Sequence, residues 1–244
     1  MTKLLAFHGD KNLKASRLAQ VEAHRKADEI VKGFYWQDGK GCAVGCTVHS
    51  ESHAAYETEL GIPRILARLE DGIFEKLPNE KAKDWPVQFL SAIKVGADLS
   101  MVWPRFAIWL LGDEKDGVIR FAKTDQIKAA ILKVVELYKR KMAGEKVADK
   151  EWDAAAASAA RAASAARAAR AARAARAARA ASAASAASAD SADSADSAAS
   201  ADSAAWAASA AWAASAASAD RVKQSEKLLT LLAACPGKSK GRKK

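Results

Sequence analysis

The sequence predicts a mostly α-helical protein that combines an N-terminal helical globular domain with a long alanine-rich helical arm. The side chains that can build a core (Leu, Ile, Val, Phe and Trp) are concentrated between Leu4 and Tyr138, and many of them recur at helical spacing. From Ser158 to Arg221 every third residue is Ser, Arg or Trp, and most of the others are alanine. Because alanine is the best helix former, we expect the arm to be one long helix or a helical hairpin.

These patterns divide the chain into five segments. We predict a helical globular domain over residues 1–143, a polar connection over 144–151, a repeat helix over 152–221, an amphipathic helix over 222–235 and a disordered basic tail over 236–244. The amphipathic helix carries Leu228, Leu229 and Leu232. An exposed leucine cluster is costly, so we expect it to pack against the globular domain or a partner.

Inside the globular domain, apolar periodicity and stop signals predict the individual helices. A first helix is expected to end at Gly33, and another to begin near Pro63, because proline suits the first turn of a helix. The helices are expected over residues 12–32, from Pro63 to about Leu77, and over 85–93, 100–111 and 124–142. Only residues 117–122 show a pattern that could indicate a strand.

Charge and cysteine content limit the classes of function. The formal net charge is +10, of which residues 1–150 carry +4 and the last seven residues carry +5. The globular domain is therefore not expected to read nucleic acid, and non-specific nucleic-acid binding through the arginine block and tail is a weaker alternative. Three cysteines without an export signal predict a reducing cytoplasm, and no segment is apolar enough to span a membrane.

The three-residue period decides what the arm can contact. Since a helix turns 100° per residue, the marked positions circle the rod and leave no fixed apolar stripe, which excludes a heptad coiled coil. Arginines and aspartates mirror each other about a centre between residues 184 and 185, as Arg179 and Asp190 do. We therefore expect a cytoplasmic interaction protein whose residues 152–221 mediate self-association or contact a protein partner. Replication slippage is a competing origin for so regular a repeat.

A cluster of cysteines and histidines is the first candidate for chemistry. Cys42, Cys46, His49 and His53 are spaced so that a continuous helix would bring all four to one face. Thiolate and imidazole are the ligands that zinc prefers, although this spacing is not a common structural-zinc pattern. The metal hypothesis assigns all four as zinc ligands, and the alternative is a chain without a cofactor.

A thiol enzyme is the other chemical hypothesis. Cys42 follows glycines, and at a helix N-terminus the helix dipole would lower the pKa of its thiol and make it the nucleophile. His53 is the preferred base, with His49, His8 and His24 as alternatives, and Asp10 or Glu57 could orient the imidazole. A structural interpretation competes with both hypotheses: the two cysteines are then small buried hydrophobic residues beside tight glycine turns.

Several motifs of the globular domain resemble a family of uncharacterised bacterial and bacteriophage proteins. They are GCAVGCT at residues 41–47, His53, LGIP at residues 60–63 and LARLED at residues 66–71, followed by an alanine-rich C-terminal repeat. The resemblance covers most of residues 1–140. It implies a bacterial or phage setting and no particular activity.

Overall fold

A computed structural model describes residues 4–162, 164 and 219–237 of the chain. Most of this part is helical, which confirms the predicted fold class. The chain divides into two compact units, one formed by Met1–Leu110 with Ser218–Lys244 and the other by Leu111–Ala217. The predictions for the repeat from residue 165 to 218 and for the basic tail from 238 to 244, including their roles in self-association and nucleic-acid binding, lie outside the described residues.

The first unit is built from short helices around one small hairpin. A 3₁₀ turn at Ala6–Gly9 precedes the helices, and a helix over residues 219–234, here called the C-terminal helix, closes the unit. Between them lie α1 (Lys11–Lys26), β1 (Trp36–Gln37), β2 (Lys40–Gly41), α2 (Ala43–Val48), α3 (Ala55–Leu60), α4 (Arg64–Phe74), α5 (Asn79–Ala82), α6 (Trp85–Ala92) and α7 (Val102–Gly112). The two strands pair in antiparallel fashion.

Helix α1 ends earlier than the sequence pattern predicts, so the expected end at Gly33 is wrong. The helix stops at Lys26, and Asp28 then takes a left-handed conformation with φ of 57°. Aspartate tolerates this region better than most residues do. The chain that follows runs beside Gly41, where Val31 donates a backbone hydrogen bond to the Gly41 carbonyl and Gly41 donates one to Glu29. Pairing with the hairpin therefore replaces the last predicted turns of the helix.

The helices predicted from Pro63 onward are confirmed. Pro63 immediately precedes α4, and the buried face of α4 carries Leu66, Ile73 and Phe74. Pro86 lies in the first turn of α6, where its missing N–H costs no helical hydrogen bond. The sequence analysis did not identify the short helices α2, α3 and α5, which are too brief to show a helical period.

The core of the first unit joins its N-terminal helices to the C-terminal helix. Its largest buried side chains include Trp85, Tyr56, Phe7, Phe74, Phe89 and Phe106. Leu228 and Leu232 of the C-terminal helix are fully buried in the same cluster, and Leu229 packs against it. The predicted docking of this leucine cluster against the globular part is therefore confirmed.

The second unit contains α8 (Asp125–Met142) and a helix over residues 149–162. Helix α8 begins as predicted, with the Thr124 hydroxyl accepting a hydrogen bond from the Ile127 amide at 3.3 Å. Residues 117–122 do not form a strand, because Val118–Phe121 is a 3₁₀ helix. The Tyr138 and Trp152 rings, 4.8 Å apart between centroids, link the two helices.

Membrane crossing requires a helix that is both long and strongly apolar. In the described part of the chain no helix meets both requirements. This agrees with the absence of a membrane-spanning segment expected from the sequence.

The buried leucines of the C-terminal helix should carry much of the stability of the first unit. We expect Leu228→Ala to lower the free energy of unfolding by about 2–5 kcal/mol, because it removes a fully buried side chain and leaves a cavity. Leu229→Ala, at a half-buried position of the same helix, is the matched control and should cost clearly less. Urea unfolding followed by circular dichroism measures both. Equal effects of the two substitutions would contradict the observed docking.

Candidate functional site

The hairpin lies directly on the start of α2, and glycine makes this contact possible. A Cβ atom on Gly45 would lie 1.6 Å from the Tyr35 carbonyl oxygen, and one on Gly41 would lie 2.0 Å from it. The Cys42 amide donates to the carbonyls of Phe34 and Tyr35 at 3.0 and 3.1 Å. This close approach fixes residues 34–36 against Cys42.

A cavity of about 220 Å³ opens beside Cys42. Its lining combines two aromatic residues, one thiol, two carboxylates and one glycine: Phe34, Tyr35, Cys42, Asp71, Glu75 and Gly33. Phe34 and Tyr35 are 43% and 39% exposed, whereas Cys42 is buried. The cavity thus has an accessible aromatic edge and a buried polar end, the combination expected of a binding site for a small molecule.

Asp71 is the polar residue at the buried end, and the sequence analysis did not identify it as part of a site. Its Oδ2 accepts a hydrogen bond from His53 Nε2 at 3.2 Å, and its side chain is only 15% exposed. Its Oδ1 is buried and has no hydrogen-bond partner among the described residues. A buried acceptor without a partner costs about 1–3 kcal/mol of stability.

The Cys42 thiol behaves differently from the predicted nucleophile. Burial raises its pKa far above the usual value, and the negative charge of Asp71 adds to this effect. Hydrogen bonds from the backbone amides of Gly45 and Val44 at the start of α2 act in the opposite direction and are outweighed. The helix terminus therefore lowers the pKa as expected, but burial outweighs it and the net shift is upward, against the expectation of an activated thiol. Asp71 lies between Cys42 and the predicted base His53, since it interacts with both.

Cys46 does not line this cavity and has a structural environment. Its Sγ donates to the Gly41 carbonyl at 3.3 Å, inside the core. Burial raises the pKa of this thiol to about 12. Both features agree with the structural interpretation of Cys46 as a small buried residue.

His49 lies with His24 on the other side of the hairpin. Its ring stacks on Trp36 with centroids 4.2 Å apart, and its Nε2 is 2.8 Å from His24 Nε2. The centroids of the two histidine rings are 5.0 Å apart. This distance equals the Nε2–Nε2 separation plus about one ring radius for each ring. The two nitrogens therefore face each other head-on. This geometry fits one N–H···N hydrogen bond and does not fit two lone pairs converging on a metal. Glu29 accepts from His24 Nδ1 at 2.6 Å.

The four residues of the zinc hypothesis thus lie in separate environments. Cys42 borders the cavity, Cys46 faces the core, His49 pairs with His24, and His53 pairs with Asp71. Over the described ranges, no group of three or more His, Cys, Asp or Glu side chains could hold a metal ion.

The remaining candidates for base and orienting group have local partners instead. His8 Nε2 lies 3.1 Å from the Thr58 carbonyl, and Asp10 caps α1 by accepting from the Asn12 amide. Glu57 accepts from the Arg64 amide at the start of α4. These three residues hold the ends of neighbouring helices and do not contribute to the cavity.

Glu70 precedes Asp71 but points into the core. It is fully buried, and its Oε2 accepts a hydrogen bond from the Tyr56 hydroxyl at 2.7 Å. Burial raises the pKa of Glu70 well above its usual value, against the opposing effect of the Tyr56 hydrogen bond, and the Asp71 charge raises it further. Burial therefore favours the protonated form of Glu70, and of the two adjacent carboxyls only Asp71 lines the cavity.

Known proteins provide no relative from which a function of this site could be transferred. No protein-family model, curated protein or solved structure significantly matches the chain.

Thiol reactivity tests the environment of Cys42. We expect iodoacetamide to modify Cys42 at pH 7 at least about 100-fold more slowly in the native protein than in urea, because the thiolate is the reacting form and burial disfavours it. The rate should rise with pH. Peptide mass spectrometry resolves the three cysteines, and the buried Cys46 is the internal control. Rapid and selective alkylation of Cys42 near neutral pH would instead support the nucleophile hypothesis.

The raised pKa of Glu70 gives the stability of the protein a predictable pH dependence. Since the pKa of Glu70 is raised in the folded state, its contribution is fully present below the pKa of an unfolded glutamate. The contribution is then lost as pH rises, by up to about 1.4 kcal/mol per pH unit. Glu70→Gln keeps an acceptor for Tyr56 and removes this loss. We expect the variant to be more stable than the wild type at pH 7 and equally stable near pH 4. Denaturant unfolding across this range measures the difference. The exposed Glu80→Gln is the control, and a destabilised variant at pH 7 would show that Glu70 is ionised.

Proposed function

We propose that this chain is a binding protein for a small molecule and that the cavity beside Cys42 is its site. The observation that carries the proposal is an accessible cavity whose lining joins two aromatic residues to a thiol and two carboxylates, with Asp71 at its buried end. A concave site with apolar walls and a few convergent polar groups is the usual form of a small-molecule binding site.

The surroundings of the cavity support a preformed site. Tyr35 is held by its carbonyl against Gly41 and Gly45, and its ring meets the His53 ring at 5.3 Å in an edge-to-face arrangement. His53 in turn orients Asp71 through their hydrogen bond. Groups that are fixed before the ligand arrives lose little entropy on binding, which favours affinity.

Non-covalent binding is supported better than thiol catalysis. The raised pKa keeps the Cys42 thiol protonated near neutral pH, and the protonated form is a weak nucleophile. As a neutral group, the thiol supplies a polarizable wall to the cavity. The three cysteines are free thiols, which suits the cytoplasmic setting that we propose for the protein.

Filling the cavity tests the proposal. We expect a set of small ammonium, carboxylate and uncharged fragments, screened by saturation-transfer NMR, to include compounds that bind the wild-type protein and shift the Tyr35 and His53 resonances. Cys42→Leu should abolish this binding, because the larger side chain occupies the cavity. The matched control Cys235→Leu makes the same substitution away from it. Equal binding by both variants, or no binding to the wild type, would refute the proposal.

A further inference from the structure

The cavity offers its ligand two carboxylates in an unfavourable electrostatic position. Asp71 and Glu75 are four residues apart at the C-terminal end of α4, so their side chains lie on the same side of the helix. Like charges at this spacing repel each other, and the C-terminal end of a helix carries a partial negative charge that disfavours both. The last turn of α4 contains no basic residue that would offset them.

The protein compensates these two charges only in part. Asp71 accepts a hydrogen bond from His53 and also interacts with the Cys42 thiol, and both oxygens of Glu75 lie 3.2 Å from the Gly33 amide. Among the described residues, no lysine or arginine forms an ion pair with either carboxylate. Arg68 is close enough to affect the pKa of Tyr35, but among the described residues it forms no ion pair with Asp71 or Glu75. A positive charge in the cavity would therefore be stabilised by both carboxylates.

The other walls suit the same kind of ligand. Phe34 and Tyr35 border the cavity, and the faces of aromatic rings attract cations. A volume of about 220 Å³ is smaller than the range of about 300–1,000 Å³ that is usual for drug-sized ligands. The cavity thus fits a charged head group with a short apolar chain, or the end of a longer molecule.

We infer that the ligand of this site is a small organic cation, a primary ammonium or guanidinium group on a short apolar chain. The inference rests on the proposed binding function. The N–H groups of the cation donate to the Asp71 carboxylate where it lines the cavity, and Glu75 contributes a second negative charge. The apolar chain lies against Phe34 and Tyr35.

Three probes of similar shape and different charge test this assignment. Butylammonium, 1-butanol and butyrate are titrated into the full-length protein at pH 7, and the Tyr35 and His53 resonances are followed by NMR. We expect butylammonium to bind at least about tenfold more tightly than butanol, and butyrate not to bind. Hydrogen bonds to charged groups contribute about 1.5–3 kcal/mol, so Asp71→Asn should weaken butylammonium binding about 10- to 100-fold.

Glu75→Gln keeps the assignment testable if Asp71→Asn does not fold, and it should weaken butylammonium binding about 3- to 10-fold. Glu80→Gln removes an exposed carboxylate outside the cavity and should leave the affinity unchanged. Equal affinity for butylammonium and butanol, or unchanged affinity in both cavity variants, would overturn the inference. Binding of uncharged or anionic fragments that is lost in Cys42→Leu would also overturn it, while the proposed binding function would stand. If no fragment of any charge binds, both proposals fail.

Discussion

The contact of the Tyr35 carbonyl with Gly41 of β2 and Gly45 of α2 is the constraint on which the site depends. Without side chains at Gly41 and Gly45, the hairpin backbone lies directly on the helix. This places Tyr35 beside Asp71 and His53, whereas Trp36 turns to the opposite side and stacks on His49. Any side chain at either glycine would separate the hairpin from α2 and open the cavity. The aromatic and acidic walls are therefore positioned by backbone packing.

Three acidic residues near the C-terminal end of α4 have different roles because their surroundings differ. Glu70 faces the core, accepts a hydrogen bond from Tyr56 and has a raised pKa. Asp71 and Glu75 face the cavity at the negative end of the helix. Burying a carboxyl in the core and leaving two others poorly compensated both cost stability. Natural sequences tend to keep such destabilising residues at functional positions, and two of these three carboxyl groups line the cavity.

The sequence predicted the longer helices well and the site only in part. Apolar periodicity was sufficient for α4, α6 and α8, whose buried faces repeat at helical spacing. The early end of α1 depends on long-range pairing of residues 29–31 with Gly41, which no local pattern records. Cys42 and His53 were identified as chemically notable, but Asp71, which lies between them, was not. Helical spacing shows that Asp71 and Glu75 share a face, and only the tertiary fold shows what that face meets.

The burial of the C-terminal helix in the first unit has a consequence for protein synthesis. Residues 219–237 are translated after the whole alanine-rich repeat, at about 5–20 residues per second, so the core stays incomplete until the repeat has been read. Gain or loss of whole codons within the repeat preserves Leu228 and Leu232. A shift of the reading frame there replaces them and exposes the apolar side chains that they cover. Folding of the first unit therefore requires that the reading frame be kept through the repeat.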